Sequence, residues 1–343
     1  MATQQDHGGV PFAVAHDMRQ FRLLELPPDI VELLDAPSPP PYVLAIKSLA
    51  PSASAVSGTP AYAVLCTPSK TFQLRQVQTS NSLFVTQPAF DAHSNDLPLP
   101  STRVIASCTA TLELHPSDES AATYLVKQLP VFDLLDGVVE STSNRTPKSA
   151  LFANIPLSDA QCDRAWDELV AFEAGGSSHR PSPRALALAW RSINTAALAE
   201  GVQLDSQFLT EDMLNSLSED LFPPQLVASM FRRLGTDGQD PSGPWSCLDR
   251  SKTVAFVGKT LLEARRGESD YLTAAFLDAW KDSLPEAWGS DVDLKAIDGV
   301  YHLPSNSTIA LKDGSSTAAE ASAAPAAKPR GKWHEKFAKT RKR

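Results

Sequence analysis

The sequence predicts an α+β protein in which an all-β domain is followed by helical units. Residues 102–114 alternate apolar with more polar side chains, the period of a strand that buries one face. In residues 62–74 two apolar runs flank Pro68-Ser69-Lys70, a composition typical of a hairpin turn. From about residue 118 the apolar spacing changes to that of helices.

The first 115 residues are predicted to form short strands joined by Pro- and Ser-rich loops at 50–60 and 87–101, with a short helix at Asp29–Leu34. In the second arm of the hairpin, Phe72 and Leu74 should be buried. The polar run 78–82 lacks His, Asp and Glu, which favours a hydrogen-bonding rim between strands over a catalytic site. Open edges of this sheet would favour pairing with another chain. The predicted strands are Phe21–Leu26, Tyr42–Leu49, Tyr62–Thr67, Thr71–Gln76, Ser82–Thr86 and Thr102–Leu114.

The rest of the chain is predicted to be helical and to end in a hairpin of residues 299–303 and 308–312. Ser158 and Gln161 have the spacing of a capping box, so a helix should begin there. Three helices followed by a hairpin is the order of a winged helix, and a generic helical bundle is the alternative. The predicted helices are 120–128, one from 158, 183–200, 210–217, 223–234, 251–266, 271–283 and 291–297.

The net charge of −9 is unevenly distributed along the chain. The last sixteen residues carry +7, so residues 1–327 carry −16. An acidic body with a basic tail argues against nucleic acid wrapping the whole surface, and it leaves one local electrostatic anchor. No secretory signal and no membrane-spanning run is visible.

The candidate sites for catalysis, metal and cofactors are weak, and we expect neither enzyme activity nor a cofactor. Ala255–Thr260 ends like a phosphate-binding loop, but Thr253 replaces its first glycine and no strand precedes it. The four cysteines lie far apart, and the seven histidines show no ligand spacing.

Two groups of cations are candidate nucleic-acid contacts. Lys252, Lys259 and Arg266 lie seven residues apart on one predicted helix face, which is either a phosphate-binding face or an ordinary solvated one. In the tail, Trp333 and Phe337 lie among cations, which is typical of single-strand binding, of a nuclear import signal, or of a short helix that docks on a partner. The tail cations are Lys328, Arg330, Lys332, Lys336, Lys339, Arg341, Lys342 and Arg343.

Several short motifs occur in a specific order over about 65 residues near the N-terminus. In this order and spacing they resemble the "defective in sister chromatid cohesion" family, a subunit of an alternative replication factor C clamp loader. The motifs are Leu24-Glu25-Leu26-Pro27, Ala45-Ile46-Lys47, Ala63-Val64-Leu65-Cys66-Thr67, Lys70-Thr71-Phe72-Gln73-Leu74-Arg75 and Thr79-Ser80-Asn81-Ser82.

The resemblance implies a nuclear, non-catalytic subunit whose barrel-like β domain assembles with a small companion and with the C-terminal end of the large ATPase subunit. It implies three tandem winged helices that contact DNA and polymerase epsilon and so direct loading or unloading of the sliding clamp PCNA. The residues expected to bind partners are Leu65, Thr71, Leu74, Arg75, Thr79, Ser80 and Asn81.

These expectations divide the chain into a β domain, three winged-helix units and a linker with a basic tail. A stand-alone winged-helix regulator of transcription is the alternative, and it would need no strand edges dedicated to other chains. The predicted borders are 1–117, 118–182, 183–249, 250–313 and 314–343.

Overall fold

The chain forms two compact units. The first comprises Met1–Pro130 with Glu140–His179, and the second Val131–Val139 with Arg180–Arg343. Strands dominate the first unit and helices the second, so the predicted α+β class is confirmed. The computed structural model describes residues 12–38, 44–48, 62–91, 99–133, 146–217, 222–238, 243–267 and 271–312.

A six-stranded sheet is the main element of the first unit. Its order is β1-β6-β5-β4-β3, and β2 also pairs with β6. The short strands β1 and β2 run parallel to β6, and the other neighbours are antiparallel. The strands are β1 (Phe12–Val14), β2 (Leu23–Leu24), β3 (Ala45–Ser48), β4 (Ala63–Cys66), β5 (Thr71–Asp91) and β6 (Leu99–Pro116).

The predicted hairpin is confirmed, since β4 pairs with the start of β5 in the register Leu65↔Phe72. Its apolar side chains form a core with Leu114 of β6 and with Ile30 of helix α1 (Pro28–Leu34). Leu74 packs against this core. Farther along β6 the predicted alternation also holds, because Val104, Ala106 and Cys108 are buried while Ser107 and Thr109 are exposed.

The sequence prediction is wrong about where β5 ends. Residues 87–91 continue β5 instead of forming a loop, and β6 already begins at Leu99. Pro88 suggested a break, but an edge strand tolerates proline because no neighbour needs the missing N–H. The polar run 78–82 lies inside the same strand, where Gln78 pairs with Ala110 and Leu83 with Cys108. The residues between them therefore form a bulge opposite Thr109.

The first unit also contains helices α2 (Ala121–Gln128), α3 (Lys148–Asn154) and α4 (Asp159–Glu168). The predicted capping box at the start of α4 is confirmed, since Ser158 Oγ accepts from the Gln161 N–H while Gln161 Oε1 accepts from the Ser158 N–H. Thr71 of β5 joins this box: its hydroxyl accepts from Ser158 N at 2.8 Å and donates to Gln161 Oε1 at 2.6 Å.

The Thr71 hydroxyl therefore couples the sheet to α4, and we predict that Thr71→Val lowers the free energy of unfolding of the first unit by about 1–3 kcal/mol. The valine fits the space but leaves the buried Ser158 N–H without this acceptor. Hydrogen exchange measured across urea concentrations reports each unit separately and checks the change. Thr86→Val, the same substitution at an exposed position of β5, should stay within about 0.5 kcal/mol of wild type. Equal effects of the two variants would contradict the coupling.

A second β-hairpin, absent from the predicted elements, follows α4. β8 (Phe172–Ala174) pairs antiparallel with β9 (Ser177–Pro181) through Gly175 and Gly176. Both glycines have positive φ, which a two-residue turn of this kind requires. The helix predicted to begin at residue 158 therefore ends at Glu168, before this hairpin. Beyond His179, β9 belongs to the second unit, where Arg180 is the partner of Val131 in β7 (Val131–Phe132).

The second unit is built on helices whose predicted positions are confirmed. Helix α5 (Pro183–Ala199) packs against helix α8 (Arg250–Ala264). The buried side chains of the unit include Trp190, Ile193, Phe276 and Trp280. The helix predicted at 291–297 is replaced by 3₁₀ segments at Glu286–Asp291 and Leu294–Ile297. The helices are α5 (Pro183–Ala199), α6 (Thr210–Ser216), α7 (Pro224–Leu234), α8 (Arg250–Ala264) and α9 (Thr273–Asp282).

This unit also contains two short antiparallel pairs: β10 (Phe208–Leu209) with β11 (Trp245–Ser246), and β12 (Tyr301–Ser305) with β13 (Thr308–Leu311). The second pair is the predicted closing hairpin. Residues 250–311 therefore follow the predicted order of helices and then hairpin, with 3₁₀ segments in the third helical position.

Candidate partner-binding surface

The long strand β5 has an open edge over most of its length. Its pairing with β4 extends only from Thr71 to Gln73, whereas its pairing with β6 continues to Asp91. In the part of the chain that the structure describes, no strand pairs with β5 on the β4 side beyond Gln73. An open edge of this length is a template for a strand from another chain.

Apolar side chains are uncovered on both faces of β5 at its centre. Leu83 is 52% exposed and its neighbour Phe84 is 58% exposed. Successive residues of a strand point to opposite faces, so neither face is covered here. A sheet that supported only its own fold would bury one of the two side chains. The pattern is that of a surface completed by other protein.

Further uncovered apolar side chains lie on the other strands of the same sheet. Ile46 of the edge strand β3 is 72% exposed, while its neighbour Lys47 points inward. The Lys47 ammonium donates to the carbonyl oxygens of Phe152 and Leu157 and to the Asp159 carboxylate, at 2.8–3.2 Å. One face of β3 is therefore anchored by the hydrogen bonds of Lys47, and the opposite face exposes Ile46 to solvent. Among the described residues of the sheet, the other large apolar side chains that are exposed are Phe12, Val14, Leu24, Val77 and Phe90.

The residues predicted to bind partners divide between the core and this surface. Leu65 and Thr71 are buried, and Leu74 packs on the same core. Arg75 is exposed where the open edge begins, and its guanidinium donates to Gln73 Oε1. Ser80 and Asn81 are exposed in the bulge of β5, and Thr79 lies between the same two register positions. Their binding to partners stays a prediction.

The sequence prediction missed three exposed apolar side chains of β5, those of Leu83, Phe84 and Phe90. Alternation gives the period of a strand but does not show whether a given face is covered, so Leu83 and Phe84 were assigned only to a short strand. Phe90 fell in a predicted loop. The available signal was an apolar side chain at successive positions, 83 to 85, beside a polar run.

Of the three cations predicted on one helix face, Lys252 and Lys259 lie on α8, whereas Arg266 lies beyond its end. The prediction that all three share one helix face is therefore wrong for Arg266. The Lys252 ammonium lies 2.6 Å from Asp237 Oδ1, and that of Lys259 lies 3.8 Å from Glu263 Oε1. Burial raises the pKa of the Glu263 carboxyl, and the Lys259 and Arg266 cations oppose that shift. Arg266 is exposed just past the end of α8. Lys252 and Lys259 thus form ion pairs with carboxylates, and Arg266 lies close enough to Glu263 to act on its carboxyl. The tail cations with Trp333 and Phe337 lie outside the described residues.

The residues that resembled a phosphate-binding loop lie inside helix α8. A side chain at Gly258 would stand 2.4 Å from the Trp280 ring, and the Trp280 N–H donates to Val254 O at 2.9 Å. The glycine therefore allows close packing of an indole on the helix. Its neighbour Thr260 is buried. This segment has a packing role, and its backbone forms a helix instead of a phosphate cradle.

The described residues contain no cluster of three or more His, Cys, Asp or Glu side chains arranged to hold a metal. Burial raises the pKa of the Cys162 thiol to about 12 and also raises that of Cys66, so neither thiol is a nucleophile at neutral pH. None of the helices in the described part of the chain is long and apolar enough to cross a membrane.

Comparison with known proteins agrees with the motifs at the N-terminus. The model of the family described as sister chromatid cohesion protein Dcc1 matches residues 21–315, which include the whole described sheet except β1. A search of curated proteins gives no match.

Proposed function

Because the chain belongs to the sister chromatid cohesion protein Dcc1 family, and is thus a cohesion-related subunit, we propose that it is a non-catalytic subunit of the alternative clamp loader. In this proposal the first unit assembles with the small companion and with the C-terminal end of the large ATPase subunit. The observation that carries the proposal is the open edge of β5 with Leu83 and Phe84 uncovered on its two faces.

The sheet can accept protein at more than one place, which supports assembly with two chains. One incoming strand would pair with β5 between Arg75 and Phe90. Protein packed on either face would cover Leu83 or Phe84, and burial of each such side chain is worth about 1.5–3 kcal/mol. The exposed side chain of Ile46 on β3 offers a second apolar contact on a face of the sheet. Together these contacts would complete a barrel-like β domain around the existing sheet.

Residues 118–313 would supply the three winged-helix modules that contact DNA and polymerase epsilon in the nucleus. The order α8, α9, 3₁₀ segments and the β12–β13 hairpin supports this assignment for residues 250–313. Winged helices also dock on proteins, so the assignment is compatible with either contact. ATP hydrolysis would reside on the partner chains. The subunit would then act by tethering, which raises the local concentration of the loader at its site of action on PCNA.

Co-expression with the two partner chains tests the proposal. Gel filtration followed by native mass spectrometry should show one complex that contains all three chains. The alternative, a stand-alone winged-helix regulator of transcription, predicts a monomer or homodimer that binds specific duplex DNA without partners. Recovery of the chain only in that form would overturn the clamp-loader proposal.

The basic tail should add a nonspecific electrostatic contact with DNA. Deletion of residues 328–343 removes +7 from a chain whose other residues carry −16, so DNA affinity should fall. Each lost phosphate contact should lower the salt slope by about 0.7 on single strands and about 0.9 on duplex. Binding measured at two salt concentrations checks this.

Replacement of both Trp333 and Phe337 by alanine separates stacking from charge in the same assay. Single-strand binding should weaken by about 1–3 kcal/mol per stacked base, with a smaller change on duplex. If the tail is instead a nuclear import signal, the truncated chain should keep its DNA affinity and remain in the cytoplasm.

A further inference from the structure

A groove in the second unit combines an apolar floor with an acidic rim. Its volume is about 660 Å³, within the roughly 300–1,000 Å³ of most ligand pockets. Leu204, Leu284 and Trp288 line it with buried side chains. The charged residues at its rim are Asp205, Asp282, Glu286 and Lys281, all exposed, so the rim has an excess of negative charge.

One side chain of the rim is uncovered to an unusual degree. Leu198, in the last turn of α5, is 84% exposed although its neighbour Ala197 is buried in the groove wall. A hydrogen bond also joins two sides of the groove, since the Trp288 N–H donates to Asp205 Oδ2 at 3.2 Å. A preformed apolar groove with an exposed leucine at its mouth fits an occupant with large apolar side chains.

The rim adds a second requirement, because three carboxylates around one ammonium favour a positively charged occupant. The C-terminal tail of this chain meets both requirements. It carries Trp333 and Phe337, and its last sixteen residues have a charge of +7. Four-residue spacing puts two aromatic anchors on one side of a helical turn, as in peptides that bind grooves. We propose that residues 328–343 dock in this groove through Trp333 and Phe337.

The tether is long enough for this contact. Lys312, the last residue that the structure describes, follows β13, and α9 connects that hairpin with the groove. The Thr273 N–H at the start of α9 donates to Ser307 O, whereas Asp282 at its end lies on the rim. Ten residues of helix span about 15 Å. Twenty residues lie between Lys312 and Trp333, and a random-coil chain of that length has an end-to-end distance of about 25 Å.

Docking would have a consequence for the tail's other contacts. An intramolecular groove is present at a high effective concentration, about millimolar for a short flexible linker. Nucleic acid or an import receptor would then have to displace the tail before binding it. This inference does not depend on assembly of the first unit with partner chains.

Photo-cross-linking of the full-length chain tests the proposal. With benzoylphenylalanine in place of Phe337, irradiation should link the tail to groove residues within 194–205 or 281–289 of the same chain. Mass spectrometry identifies the linked peptides, and the yield should not depend on protein concentration. The double variant Leu198→Lys with Glu286→Lys should lose this cross-link. Leu188→Lys, at another exposed leucine of the same helix, should retain it.

Two results would overturn the proposal. One is a cross-link confined to other parts of the chain or to a second copy, or no cross-link within the chain. The other is an unchanged groove cross-link in the double variant. Because Leu198 and Glu286 are exposed, the double variant should keep its circular dichroism spectrum. If it does not, Asp282→Lys alone must lower the yield, with Glu211→Lys on α6 as the matched charge control.

Discussion

Replacement of both Leu83 and Phe84 by aspartate should abolish co-purification of the chain with its partner chains while the isolated chain keeps its fold. Both side chains are more than half exposed in the isolated chain, so the substitutions should cost little stability there. In the assembled state the same carboxylates would be buried without a partner, at a cost of several kcal/mol. Affinity should therefore fall by at least about a hundredfold, since each 1.4 kcal/mol corresponds to a factor of ten.

Two controls separate loss of assembly from loss of folding. Phe84→Leu keeps an apolar side chain and should retain assembly. Leu188→Asp places the same charge on an exposed leucine of the second unit and should also retain it. Leu74→Asp is a less informative variant because Leu74 packs against the core of the first unit, so it would disturb folding and assembly together. Full co-purification of the Leu83→Asp, Phe84→Asp chain would mean that β5 is not the interface.

Trp280→Ala should destabilise the second unit by about 3–5 kcal/mol, because it removes a buried indole ring and leaves a cavity in the core. Trp280 is fully buried, and the centroids of its ring and of the Phe276 ring lie 5.4 Å apart. Its indole N–H donates to Val254 O. The free energy of unfolding of a whole domain is about 5–15 kcal/mol, so this substitution would remove a large fraction of it. Urea denaturation followed by hydrogen exchange of α8 and α9 measures it.

The contact between Gly258 and Trp280 gives a sharper test. The effect of Gly258→Ala on the stability of the unit should change sign when Trp280 is replaced by alanine. Gly258→Ala alone places a Cβ 2.4 Å from the indole and should destabilise the unit by about 1–3 kcal/mol. In the Trp280→Ala background that clash is gone, and alanine should be preferred to glycine within the helix by about 0.5–1 kcal/mol. Destabilisation of the same size in both backgrounds would contradict close packing as the role of this glycine.

Local features of this fold could be predicted from the sequence. The turn at Pro68-Ser69-Lys70 and the capping box at Ser158 depend on a few adjacent residues, and both are present in the structure. The helices of the second unit could be predicted for the same reason, since their apolar period is a local signal.

What could not be predicted depends on distant parts of the chain or on other chains. The continuation of β5 past Pro88 follows from its pairing with β6 on one side and its open edge on the other. The packing role of Gly258 could not be predicted, because its contact Trp280 lies 22 residues away in the sequence. The local sequence around Gly258 resembles only the end of a phosphate-binding loop. Leu83 and Phe84 are exposed because no described part of the chain packs over them. The period of apolar residues in a strand gives no information about such coverage.

Hydrogen exchange of β5 with and without the two partner chains tests the central claim most directly. The amides of residues 75–90 on the open edge are predicted to exchange quickly in the isolated chain and to become strongly protected in the complex, as added strands pair with them. The β12–β13 hairpin, which is paired within the second unit, serves as the internal reference and should change little. Equal protection of residues 75–90 in both states would contradict assembly through this edge.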